Sequence, residues 1–198
     1  MPPFSVLSVC MGNICRSPMA ERLLVVAARD LVGDAADDLI LSGSAGTGGW
    51  HQGQPMNPPA ARQVRRRGGD DTGFAARKLA VEHIESADLV LTATGDQAYH
   101  VRSLCPDAAG RTFVLGEFGR LLAKVDLSAL PPALGTPQAV YARGRALVEA
   151  VDAVRAGAEP LVSDEVDDPY GHSDAVFSRV ADEIEAVLRP LAAALLTR

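Results

Sequence analysis

No stretch of this 198-residue chain approaches the apolar run needed to cross a bilayer. The N-terminus lacks the basic segment followed by an apolar one that marks a secretory leader. Cysteine is scarce and odd in number, three in all, which argues against a disulfide-stapled scaffold and for thiols kept reduced and reactive. A cytoplasmic location is the expectation. Basic charge is also short: a net charge of −6 counts against general nucleic-acid binding, although it leaves room for a local basic pocket. There is no internal repeat and no low-complexity segment. What remains, 47% hydrophobic and 22% charged residues, is the composition of a globular protein, and the length suits one domain over residues 1–198 with a sizeable core.

What is present is an alternation of strand and helix patterns. Residues 4–9 alternate and are rich in apolar and β-branched types, a strand signature. Ser17 and Pro18 read as the N-cap and first position of a helix on which Met19, Leu23, Val26 and Ala27 share a face. Residues 39–42 read as a second strand, followed over 43–53 by a glycine-dense loop that holds the only tryptophan, Trp50. Residues 58–67 read as a helix closed by Gly68-Gly69, with Arg65, Arg66 and Arg67 as its solvated end. Residues 87–94 and 112–115 read as third and fourth strands, with a short helix near 97–104 between them. Such alternation predicts an α/β fold, a parallel sheet covered on both faces. Residues 118–160 form an elaboration: an irregular stretch, then Val140, Leu147, Val151 and Val154 at the spacing of one added surface helix. An acidic loop over 162–172 leads to a closing amphipathic helix over 175–196, which Pro190 should kink or break.

Between the first strand and the first helix stands Cys10-Met11-Gly12-Asn13-Ile14-Cys15-Arg16-Ser17-Pro18. A strand, a tight loop and a helix N-terminus point successive backbone N–H groups into one concavity, which suits a phosphate-like anion. Cys10 opens the loop and Arg16 closes it after five intervening residues, so a thiolate can lie under the anion while a guanidinium fork grips two of its oxygens. A free thiol titrates near ~8.5, and a helix N-terminus beside an arginine lowers that value. The thiolate would attack phosphorus while Arg16 and the loop amides hold the equatorial oxygens as charge builds. A buried cysteine at a strand end is the bland alternative, and the joint pattern outweighs it.

Displacing an ester oxygen calls for a proton donor on a loop facing the cradle. Asp167-Asp168-Pro169-Tyr170-Gly171 is such a loop: Pro169 keeps its predecessor extended and Gly171 permits a turn. Asp168 is the candidate acid, and later the base that activates water. A turn-forming Asp-Pro is an equal reading of the same residues, and Asp167 competes for the role.

Together with Ser44-Ala45-Gly46-Thr47 and Asp168-Pro169-Tyr170-Gly171, the Cys10–Pro18 motif resembles the low-molecular-weight protein tyrosine phosphatase family. The resemblance spans nearly the whole chain apart from the elaboration before Asp168. It implies a three-layer α/β/α fold on a four-stranded parallel sheet, with the phosphate-binding loop after strand one. It also implies a two-step reaction through a phosphocysteine, with no metal and no cofactor. Cys10 would be the nucleophile, Arg16 the clamp and Asp168 the acid, with Met11, Gly12, Asn13, Ile14, Cys15 and Ser17 completing the loop. Asn13 would hold the loop in its strained shape with help from Ser44, and Ser17 would hydrogen-bond the thiolate. Trp50 and Tyr170 would wall the substrate cleft, although a lone tryptophan in such a loop reads first as a lid over the local core. Cys15 resembles the redox partner that, in some members, forms a reversible protective disulfide with the nucleophile. Two departures stand out: Phe74 where many members have histidine, and Ala93-Thr94-Gly95-Asp96 in place of Met-Asp.

The expected partner is a phosphotyrosine protein or a small aryl phosphate, with no nucleic acid and no membrane, and the chain a monomer or weak dimer. Arsenate reductases are similar to this family, but those working alone need a downstream cysteine pair, and only Cys105 lies downstream here. A non-catalytic phosphate reader would have dropped the nucleophile or the acid. Ile14, branched and apolar in the cradle wall, favours a flat aromatic leaving group.

Overall fold

The computed structural model describes residues 2–197. Strand β1 (Phe4–Cys10) lies between β2 (Ile40–Gly46) and β3 (Leu89–Thr92), and β4 (Thr112–Val114) completes the order β2-β1-β3-β4 with every pairing parallel. Parallel neighbours need crossovers, which helices supply. Helix α1 (Arg16–Val32) and the short α2 (Ala36–Leu39) join β1 to β2; α3 (Pro58–Arg66) and α4 (Val81–Glu85) lie between β2 and β3. Helix α5 (Gly95–Leu104) precedes β4, and α6 (Leu115–Leu122), α7 (Pro137–Arg155) and α8 (Asp174–Leu196) follow it. Alternation along β1 sorts the core: Phe4, Val6 and Cys10 join Met19, Leu23, Phe177 and Ile184 of α1 and α8, whereas Leu7 and Val9 join Ile84, Val101 and Ala108 on the other face. The predicted layers and four-stranded sheet are those observed.

Local expectations fail where the loop after β1 makes demands on its surroundings. Strand β2 continues through Gly43–Gly46, which the glycine content marks as loop. A Cβ on Gly46 would stand 2.7 Å from the Met11 carbonyl and 2.9 Å from the Asn13 amide, so glycine lets the strand pass flush against the loop. Ser17 is not an N-cap: α1 begins at Arg16 after Cys15, and the Ser17 hydroxyl is engaged inward by Asn13 and Cys10. Pro18 falls in the first turn, where no intrahelical bond is lost. Helix α8 runs unbroken through Pro190, which is exposed, so water can satisfy the carbonyl one turn back. Arg65 and Arg66 pair on the surface with Asp71 and Asp174, but Arg67 is no solvated end: it is half-buried, held by Asp182 and Glu185 of α8.

The elaboration adds core at the far end of the sheet. Val140, Leu147 and Val151 of α7 are buried, and Val154, at the same predicted spacing, is exposed. Gly144 of α7 presses on Phe4, whose ring a Cβ there would meet at 2.4 Å. Arg145 pairs with Asp88 at 3.8 Å, and Arg155 Nη1 donates to the Thr112 carbonyl at 2.8 Å. Phe4, Asp88 and Thr112 mark the N-terminal ends of β1, β3 and β4. Helix α7 therefore crosses the end of the sheet opposite Cys10 and leaves the cradle uncovered.

Candidate active site

The loop from Cys10 to Arg16 turns its carbonyls outward. The Cys10 carbonyl accepts from Thr47 N at 2.9 Å, that of Met11 from Gly48 N at 2.9 Å, and that of Ile14 from Asn57 N at 2.8 Å. The reverse side of those peptides faces inward, and among the described residues no backbone amide from Met11 to Cys15 donates to a protein acceptor. Asn13 makes this turn possible in the left-handed region, with φ of 55°. Arg16, 5% exposed, donates from Nη1 to the Val166 carbonyl at 3.1 Å, pairs through Nη2 with Asp168 at 3.0 Å, and keeps a buried Nε with no protein acceptor. Buried donors are normally spent. The loop that carries the Cys10 thiol thus keeps unspent N–H donors, an arrangement that suits an oxyanion.

A hydrogen-bond chain holds the loop from behind. The Asn13 Nδ2 donates to Ser17 Oγ at 2.8 Å and to Ser44 Oγ at 2.9 Å, while its Oδ1 accepts from Arg77 N at 2.8 Å. Ser44, having accepted from Asn13, donates to Glu21 Oε2 at 2.5 Å. Ser17, likewise an acceptor from Asn13, has its own proton free for the Cys10 Sγ at 3.0 Å. Burial raises the Glu21 pKa, with the Ser44 hydrogen bond and the charges of Arg22 and Arg77 opposing it. Phe74, one of the departures noted in the sequence, adds no polar link, and its ring centre lies 6.0 Å from the Arg22 guanidinium. Burial also pushes the Cys15 thiol up to about 12, with further contributions from Cys10 and Asp168, so Cys15 stays protonated at neutral pH.

A cavity of about 190 Å³ opens over the loop, lined by Cys10, Ile14, Cys15, Arg16 and Asp168 with Trp50, His51 and Tyr170 at its mouth. Trp50 and Tyr170 are 71% and 58% exposed, so their rings are free to flank an entering group rather than seal the core. The two neighbouring aspartates diverge: Asp168 meets Arg16, whereas Asp167 pairs with Arg179 at 2.9 Å, away from the thiol. Asp96 lines a larger adjoining cleft of about 810 Å³ and not the cavity over Cys10. Cys105 sits in the core on the opposite face of the sheet from Cys10. Among the described residues, no group of three or more His, Cys, Asp or Glu side chains could hold a metal ion, and no helix is long and apolar enough to cross a membrane.

Glu21, Arg77 and His51 were missed as site residues. Glu21 looks like any solvent-facing acid of an amphipathic helix, and only the helix phase relative to Ser44 distinguishes it. His51 packs over Gly12, where a Cβ would meet its ring at 2.9 Å, a contact that no spacing rule foretells.

An all-parallel four-stranded sheet whose first strand ends in a Cys10-to-Arg16 loop at a helix N-terminus defines the class, an α/β protein with a phosphate-binding type of loop after strand one. Residues 5–156 match the family described as "Low molecular weight phosphotyrosine protein phosphatase", and the chain belongs to that family. The low molecular weight protein-tyrosine-phosphatase of Streptomyces coelicolor is 32% identical over 161 residues, 81% of this chain and 92% of that protein. YfkJ, a low molecular weight protein-tyrosine-phosphatase of Bacillus subtilis, is 37% identical over 101 residues; the match takes in 50% of this chain and 62% of YfkJ, less than two thirds of its length. The YwlE arginine phosphatase of Geobacillus stearothermophilus shares the fold, with a TM-score of 0.64 at 24% identity across 96% of this chain and 93% of its own.

Proposed function

We propose that this chain hydrolyses phosphomonoesters, with phosphotyrosine as the preferred class, through a phosphocysteine intermediate. The observation that supports the reading is the set of unspent donors, the amides of Met11 to Cys15 and Arg16 Nε, in the loop that Cys10 opens and Arg16 closes. In this reading the phosphoryl oxygens take those donors and displace Asp168 from Arg16. The Cys10 thiolate forms the S–P bond as the P–O ester bond breaks, and Asp168 delivers a proton to the departing oxygen. The Asp168 carboxylate then takes a proton from water, whose oxygen attacks phosphorus and releases Cys10 as a thiolate. Ser17 supports that leaving group with its hydroxyl proton. Ile14 below and Trp50 and Tyr170 at the mouth form an apolar slot that a flat aryl group fills better than a flexible alkyl one. Cys15 is the proposed redox partner of Cys10, shielding it from over-oxidation.

The location of Cys105 disfavours the reductase reading, since its thiol lies across the sheet from Cys10 and cannot relay a disulfide to it. The test uses purified protein with aryl phosphates at mildly acidic pH in the presence of a chelator. Cys10→Ser should abolish turnover, by about 10⁴-fold or more, while phosphate still protects the fold against heat. Asp168→Ala should slow phenyl phosphate far more than nitrophenyl phosphate, whose phenolate leaves unaided. Full activity in Cys10→Ser would end this reading, and thiol-dependent arsenate reduction outpacing ester hydrolysis would replace it.

A further inference from the structure

The acid loop is free only from Asp167 onward, because each of the three residues before it is tied to a different element. Asp164, 4% exposed, receives a two-point contact from Arg120 of α6: Nε to Oδ1 at 3.0 Å and Nη2 to Oδ2 at 2.7 Å. Its backbone lies against Gly116, where a Cβ would stand 2.5 Å from the Asp164 carbonyl oxygen and 2.8 Å from its Cα. Glu165 Oε1 accepts from Gly95 N, at the start of α5, at 2.8 Å. Val166 N donates to the Ala93 carbonyl, just past β3, at 2.9 Å, and the Val166 carbonyl accepts from Arg16 at 3.1 Å. Beyond this point Asp167 pairs with Arg179 at the surface, and Asp168 is held by its pair with the buried Arg16 and by the Tyr170 amide, which donates to its Oδ1 at 3.2 Å.

We propose that Arg120 and Asp164 form a positioning pair that fixes the root of the acid loop, so that Asp168 pivots from a fixed point between Arg16 and the leaving-group oxygen. This rests on the phosphatase reading and extends it to residues outside the cradle. A planar guanidinium on a carboxylate sets orientation as well as distance. The close approach at Gly116 leaves Asp164 no room to slide. Asp168 is the fourth residue on from Asp164, a reach of roughly 14 Å at full extension, and the ties at Glu165 and Val166 hold only while the segment starts from a fixed point, so a root that drifts displaces the acid. Arg120 itself lines neither the cavity over Cys10 nor the adjoining cleft, so its influence on the reaction passes through the loop. Hydrogen bonding from Arg120 holds the Asp164 carboxyl below the usual carboxylate range, which keeps the pair ionised across the working pH.

Arg120→Ala, Arg120→Lys and Asp164→Asn should be compared with the native chain on phenyl and nitrophenyl phosphate, with amide hydrogen exchange followed over residues 164–171. Arg120→Ala should lose about tenfold in kcat on phenyl phosphate and stay within about twofold on nitrophenyl phosphate, because only the poor leaving group needs the positioned proton. Arg120→Lys, which keeps the charge but not the fork, should fall between. Exchange at the loop should quicken by about tenfold in Arg120→Ala while the sheet is unaffected. Equal losses on both substrates, or unchanged exchange in the loop, would overturn the proposal. A native chain inert towards both esters would instead refute the phosphatase reading, and the exchange measurement alone would then decide whether Arg120 anchors the loop.

Discussion

Arg155 and Arg16 are buried at opposite ends of the same sheet. At the N-terminal end Arg155 donates to the carbonyls of Thr112 at 2.8 Å and Ala109 at 2.9 Å and to Asp152 at 3.0 Å, with its guanidinium 4.2 Å from the centre of the Phe113 ring. At the C-terminal end Arg16 is no more exposed, yet its Nε has no acceptor and its partner Asp168 is itself half-exposed. Burial alone therefore does not distinguish a structural arginine from a functional one. What separates these two is how their donors are used: Arg155 spends its donors on protein acceptors, whereas Arg16 keeps an enclosed Nε without one beside the Cys10 loop, an unfavourable arrangement that a bound oxyanion would relieve.

The largest effect expected from this contrast comes from changing each arginine to lysine. Arg16→Lys should cut kcat/KM by about 10³-fold through loss of the planar fork, with little change in melting temperature. Arg155→Lys should keep activity within about twofold but lose about 2 kcal/mol in urea unfolding, because it strands buried carbonyls. A reversed pattern would break the contrast.

Next come the two glycines that permit close approach at either end. Gly144→Ala should cost about 1–3 kcal/mol of stability as Phe4 is forced aside, with the surviving folded protein fully active. Gly46→Ala should instead distort the peptides of Met11 and Asn13 and lower turnover by about tenfold to a hundredfold.

The smallest effects are in pH dependence. Glu21, raised by burial, contributes stability that is complete below the ordinary carboxylate pKa and is lost as pH rises through its folded value. Asp164, lowered first by its hydrogen bond from Arg120, contributes stability that is complete above the ordinary value and is lost as pH falls through its folded value. Glu21→Gln should remove the loss on the alkaline side and Asp164→Asn the loss on the acid side, read as a flattening of that limb in denaturant titrations at stepped pH.

The cradle was legible in the sequence because its chemistry is local. Cys10 through Arg16 are contiguous, and a strand before and a helix after are enough to predict where their amides point. The support behind it was only half legible. Asn13 and Ser44 carry a motif, but Glu21 meets Ser44 only once α1 has docked on β2, and nothing in the spacing of α1 marks that residue. Periodicity misplaced Gly43–Gly46 because glycine signals a loop wherever its reason for being there, a neighbouring backbone at contact distance, is unseen. Helical spacing also set Val154 with Val140, Leu147 and Val151, which are buried while it is exposed, since spacing fixes a face but not where that face ends. Pro190 was over-read for a related reason: whether a proline breaks a helix depends on whether water can reach the freed carbonyl.

Asn13 also acts as a divider between two proton arms. Its amide nitrogen can only donate, so each serine it contacts accepts on that side and keeps its own proton: Ser44 gives its proton to Glu21, and Ser17 holds one for the Cys10 sulfur once that sulfur is a thiolate. Protonating Glu21 can turn the Ser44 arm around, but the reversal stops at an amide that cannot accept. A Cys10 thiolate thus receives the Ser17 proton whatever the charge on Glu21, and this hydrogen-bond chain does not carry a change of protonation at Glu21 through to the nucleophile.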